Sequence, residues 1–134
     1  MTVRAGGCLC GEVRYEAEGE PLWAAHCHCA SCRRATGAPM ATWAGFRRGD
    51  VRWTAAKPES YRSSPGVERC FCASCGTPLS YESARWADET HILAATLDDP
   101  ESVTPERHVY WAEHLSWMES AGTLPKSAGT DGGS

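Results

Sequence analysis

The chain contains no apolar run approaching the length of a bilayer span, which leaves no candidate transmembrane helix. Its opening residues, MTVRAGGCLC, lack the apolar core of a secretory signal, so the expected compartment is the cytoplasm. Excess positive charge is also missing. The formal charge of −4 argues against a partner such as nucleic acid or an anionic membrane surface. The basic pairs Arg33-Arg34 and Arg47-Arg48 read as solvated faces rather than a binding stripe. A Ser/His/Asp triad, a phosphate-binding glycine loop and a nucleotide fingerprint are absent, which sets aside the enzyme classes that depend on them. With 134 residues there is room for one domain with a modest core.

What the chain has is cysteine. Eight of them fall in three groups, Cys8/Cys10, Cys27/Cys29/Cys32 and Cys70/Cys72/Cys75, and every one belongs to a C-x-C or C-x-x-C unit. In a reducing cytosol such clustering points to metal ligands rather than a disulfide framework, and packing alone would not produce it. The stretches CHCASCR (27–33) and CFCASCG (70–76) share C-x-C-A-S-C, two copies of one chelating turn.

The rest of the chain reads as short strands. In GEVRYEAE (11–18), Val13, Tyr15 and Ala17 alternate with charged residues, the period of a half-buried strand. PLWAAH, MATWAGF and DVRWT continue the series, and SYRSSPGVERCFC predicts strand, turn, strand. The apolar run THILAATLDD (90–99) predicts a buried strand, and HVYWAEHLSWME (108–119) a strand that finishes as a short helix. No long stretch follows the 3.6-residue helical period, so the expected fold is mainly β. The six tryptophans are expected mostly in the core. Beyond Leu124 the chain turns to PKSAGTDGGS, too poor in apolar surface to offset the entropy of ordering. One domain over 3–119 and a disordered tail over 120–134 follow.

Zinc in a structural site takes four tetrahedral ligands, most often cysteine sulfur. A C-x-x-C turn brings two thiolates to one point, with backbone N–H groups pointing back at the sulfurs. Gly76, after Cys75, allows a left-handed residue there. A C-x-C unit on an extended chain projects both thiols to one face. Three arrangements satisfy these spacings. Cys8, Cys10, Cys72 and Cys75 could close one site, leaving Cys27, Cys29 and Cys32 with an open corner. The two C-x-x-C turns could instead form a ribbon, although Cys32 and Cys72 are far apart for one. Or Cys70 could complete a second closed site.

GGCLCGEVRY (6–15), CHCASCRRATGAP (27–39) and FCASCGTPLSY (71–81) together resemble the glutathione-dependent formaldehyde-activating enzyme family, shared with centromere protein V. The order and spacing match from about residue 3 to residue 117. The resemblance implies a small zinc-stabilised β-sheet domain with an Mss4-like fold. It implies two zinc ions per chain: a structural one on Cys8, Cys10, Cys72 and Cys75, and a catalytic one on Cys27, Cys29 and Cys32. Cys70 has no role in that pattern, and His26 on an extended chain would point away from the cysteines.

Three thiolates on Zn²⁺ leave the complex at −1, a poor Lewis acid for activating water but a ready acceptor of a fourth sulfur. The natural occupant is a small cytosolic thiol such as glutathione. The resemblance then implies a carbon–sulfur lyase that joins glutathione and formaldehyde to S-(hydroxymethyl)glutathione. No general base stands out. His28 is expected to pack or to hydrogen-bond behind the ligands, and His91, His108 and His114 have no partner motif. Arg33 and Arg34 are possible carboxylate contacts, with solvated surface the plainer reading. The rival reading is a non-catalytic zinc scaffold that binds a protein partner.

Overall fold

The structure, a computed structural model, describes residues 2–130. Among these residues ten strands form two sheets, with one short α-helix and several 3₁₀ turns between them. The smaller sheet is antiparallel, in the order β1 (Val3–Gly7), β2 (Arg14–Glu18), β5 (Val51–Trp53). The larger comprises β3 (Trp23–Cys27), β4 (Ala41–Arg47), β6 (Glu59–Ser64), β7 (Val67–Phe71), β8 (Pro78–Ser83), β9 (Glu89–Leu93) and β10 (His108–Val109). Its order is β10-β3-β4-β9-β8-β7-β6, antiparallel except for β10, which runs parallel to β3. The mainly β expectation holds.

Burial follows the alternation in the sequence. Val13, just before β2, and Tyr15 and Ala17 within it meet Ala44, Phe46, Leu79 and Ile92 from the larger sheet, and these side chains form the main core. Tyr15 is fully buried, and its hydroxyl is satisfied by Thr96 Oγ1 at 2.7 Å. Paired residues of antiparallel strands share a face. Ala24, Ala44, Ile92, Ser80 and Cys70 therefore stand in a row on the core side of the large sheet. Trp23, Gly45, His91, Tyr81 and Arg69 form the matching row on its other side. Gly45 is what makes that second row possible. A Cβ there would lie 2.4 Å from the Trp23 indole.

Several elements differ from expectation. β1 and β8 were not foreseen: VRAGG is short and glycine-rich, and Pro78 occupies the first strand position, where its missing N–H is tolerated. The helix α1 (Ala30–Thr36) has seven residues, too few to show a period. The run THILAATLDD stops being strand at Leu93 and turns through a 3₁₀ segment, Ala94–Thr96. HVYWAEHLSWME is strand only at His108–Val109, then 3₁₀ at Trp111–Glu113 and Ser116–Thr123, with no α-helix. That last run extends across residue 119, the expected end of the domain. Residues 131–134 of the tail expectation lie outside the described residues.

Candidate metal centres and a cavity

Cys8 follows β1, Cys10 lies in the next turn, and Cys72 and Cys75 bracket the turn between β7 and β8. Their sulfurs converge, with Cys8 to Cys10 at 3.6 Å and Cys10 to Cys72 at 3.8 Å. Sulfurs about 2.3 Å from a tetrahedral zinc are about 3.8 Å apart, so the spacing fits the ion; a disulfide would need about 2.05 Å. The thiolates receive N–H bonds from Val13 to Cys8 (3.3 Å) and from Cys75 to Cys72 (3.4 Å). Gly76 is left-handed, φ 79°, as the turn requires. The Thr77 hydroxyl, 3.1 Å from Cys75 Sγ, helps hold that thiol down to about 5. Cys8–Cys10 is a turn rather than an extended segment, and it converges on Cys72 and Cys75 all the same.

Cys27 ends β3, Cys29 caps α1 and Cys32 sits in its first turn. Here the chain is extended through Cys29 (φ −65°, ψ 150°), and the thiols of Cys27 and Cys29 lie together with that of Cys32. Cys27 and Cys32 sulfurs are 3.6 Å apart, and Cys29 Sγ accepts the Cys32 N–H at 3.3 Å. The Cys27 thiol donates to Cys32, whose pKa falls to about 5, helped by Cys29 and by the charge of Arg69. The donor set again suits a soft divalent ion such as zinc.

His28, between two of these cysteines, is fully buried. Its Nε2 is 2.8 Å from His108 Nδ1, and Trp111 packs edge-on against the ring, 4.9 Å between centroids. It braces the loop from behind. His26 turns to Thr42 Oγ1, 2.8 Å from Nδ1, and is not in the cluster. Cys70 belongs to neither cluster; it faces Ser60 and Ser80 across the core-side row, where burial pushes its thiol up.

A cavity of about 660 Å³ meets one of the two clusters and not the other. Cys27, Cys29 and Cys32 line it, and none of Cys8, Cys10, Cys72 and Cys75 does. Trp23, Trp43, Tyr81 and Trp86 supply aromatic wall. The tryptophans are thus not mostly core: three line the cavity, and Trp111 and Trp117 are exposed. A further wall comes from the chain around β10. His26 N–H donates to Arg107 O, His28 N–H to Val109 O and Ala30 N–H to Glu113 Oε1, which fastens this segment to the loop that carries the three cysteines. Tyr110, in that wall, holds a left-handed backbone, φ 54°.

Arg33 binds the carbonyls of His28 and Glu113, and neither Arg33 nor Arg34 lines the cavity. The arginines that do are Arg69 and Arg107, and among the described residues neither has a carboxylate partner. Arg69 lies over Tyr81, 4.9 Å from its ring centre. His91, unpartnered in the sequence, finds Glu89 two residues away: Nε2 to Oε1 is 2.9 Å, and Trp23 Nε1–H donates to the same oxygen at 3.1 Å. The period-2 alternation of ETHIL, which puts Glu89 and His91 on one face, was the available signal.

The sequence model of the glutathione-dependent formaldehyde-activating enzyme family matches residues 3–113. The chain belongs to that family. A Halomonas elongata protein carrying the name of the same family is 29% identical over 126 residues, covering 85% of this chain and 78% of the relative. An uncharacterized lyase of Schizosaccharomyces pombe is 28% identical over 104 residues, 78% of this chain and 75% of that one. The crystal structure of a Rhodobacter sphaeroides protein superposes with a TM-score of 0.64 at 25% identity, over 78% of this chain and 99% of the other. Among the described residues no helix is long and apolar enough to cross a membrane.

Proposed function

We propose that this family member is a cytoplasmic, zinc-dependent carbon–sulfur lyase that joins glutathione and formaldehyde to S-(hydroxymethyl)glutathione and reverses the reaction. One zinc ion would be structural, on Cys8, Cys10, Cys72 and Cys75. The other would be catalytic, on Cys27, Cys29 and Cys32. The observation that carries this reading is that only the three-cysteine cluster lines the cavity. Family membership and a lyase-named relative support the class of reaction.

Zinc on three thiolates would supply affinity for a fourth sulfur and favour its thiolate form. The chain's own residues do the rest. Arg69 and Arg107, free of acidic partners, suit the carboxylates of a peptide thiol. The aromatic walls confine the reactants, so the thiolate meets the carbonyl carbon in a held geometry. The sulfur pair forms the new carbon–sulfur bond, the carbonyl π pair moves to oxygen, and that oxygen takes a proton. No oxidant or reductant is needed.

Cobalt substitution tests the reading, because its absorption bands report the number of bound sulfurs. Millimolar glutathione should shift the bands toward four thiolates. A spectrum indifferent to glutathione and to other small thiols rejects it.

A further inference from the structure

The structure assigns His91 as the proton carrier of this site. It takes the hydroxyl proton of the hydroxymethyl adduct on Nδ1 as the carbon–sulfur bond breaks, and returns it in the synthetic direction. The assignment rests on the lyase reading above and adds to it the general base that the sequence did not reveal.

Geometry selects this ring. His91 is buried, yet it lines the same cavity as Cys27, Cys29 and Cys32. Trp23 meets it edge-on at 4.6 Å, Tyr81 stacks on it at 5.4 Å and Trp86 tilts against it at 5.7 Å, all between centroids. Three aromatic neighbours fix its orientation. The Glu89 carboxylate accepts from Nε2, which places the ring proton there and leaves the lone pair on Nδ1. Among the described residues Nδ1 has no hydrogen-bond partner, and it is not a sealed, unsatisfied atom either. Glu89 is itself held by Trp23 Nε1–H, so the base has an orienter and the orienter has a support. The other histidines are committed elsewhere: His26 to Thr42, His28 to His108, His114 to Glu119. Neither these three nor His108 lines the cavity.

The step balances. In cleavage the O–H proton moves to Nδ1, the O–H bonding pair becomes the carbonyl π bond, and the carbon–sulfur pair leaves with sulfur as a thiolate. In synthesis each movement reverses. Burial favours the neutral ring, which is the base form; the negative groups around it, Glu89 on its own strand, Cys32 from α1 and Glu82 from β8, oppose that effect. Tyr81 and Arg69 complete the titratable groups of its row.

The experiment compares wild type, His91→Gln and Glu89→Gln as zinc-loaded protein. Glutathione–formaldehyde exchange is followed by NMR magnetisation transfer across pH. Glutathione binding is measured by calorimetry, and the His91 ring is titrated by NMR. His91→Gln keeps an amide that can donate to Glu89 and should lose about 100-fold in exchange rate, the usual contribution of a general base, with glutathione affinity within about twofold. In Glu89→Gln the loss of a neighbouring negative charge lowers the ring's pKa. The His91 titration and the rising limb of the rate profile should then move together to lower pH. An exchange rate that survives His91→Gln with binding intact overturns the assignment and leaves the lyase reading standing. A ring titration that moves in Glu89→Gln while the rate limb stays in place overturns it too. Wild type that binds glutathione but does not accelerate exchange rejects the lyase reading, and the assignment with it.

Discussion

Cys27 and Cys70 occupy the same step of the two C-x-C-A-S-C runs, yet they lie on opposite faces of the large sheet. Cys27 joins the cavity-lining cluster, while Cys70 stands in the core-side row with Ser80 and Ile92. In the second run the sulfurs that complete the cluster come from Cys8 and Cys10 instead. Removing Cys70 should therefore leave both metal centres as they are. Cys70→Ala is expected to retain wild-type zinc content and the full cobalt-band response to glutathione. A glutathione response that appears only after this substitution would make Cys70 a fourth ligand and the protein a scaffold with two closed sites.

Ligand substitutions should separate the two clusters. Wild type is expected to bind two zinc ions per chain, the one on Cys27, Cys29 and Cys32 exchanging faster because it has fewer protein ligands. Cys72→Ser should lower the thermal midpoint by roughly 10 °C or more, since a structural zinc contributes folding free energy directly. Cys29→Ser should leave a folded chain with about one zinc and no response to glutathione. Metal analysis and thermal unfolding of the two variants measure this, and equal destabilisation would contradict the division.

Gly45→Ala tests the cavity wall. Its Cβ would fall 2.4 Å from the Trp23 indole, so Trp23 must move off Glu89 and off the edge of His91. The expected cost is about 1–3 kcal/mol, read by urea unfolding. Tryptophan fluorescence should shift as the indole leaves its site. An unchanged spectrum and stability would mean the row has more slack than its spacing indicates.

These residues show what a linear reading reaches. The cysteine units and the left-handed Gly76 are legible in short stretches, whereas their spacing leaves open which units meet, and only the family resemblance implies it. Alternation likewise disclosed Val13, Tyr15 and Ala17 as core. The row Trp23, Gly45, His91, Tyr81 and Arg69 is different in kind. Its members come from five strands, and only cross-strand register brings them together. Arg33 and Arg34 are adjacent to the cysteines in sequence but not in the cavity, whereas Arg69, 37 residues beyond Cys32, lines it. Nearness along the chain disclosed the cysteine units and missed the cavity beside them.

The parallel pairing of β10 with β3 also sets an order of events during synthesis. Cys27, Cys29 and Cys32 leave the ribosome before Arg107, Val109 and Glu113, which fasten to that loop and are made about 80 residues later. At 5–20 residues per second, roughly 4 to 16 s separate Cys32 from Glu113. For that interval the nascent chain presents three thiols without the wall that later encloses them. Metal capture there would precede closure, and the aromatic chamber would be built around a centre already in place.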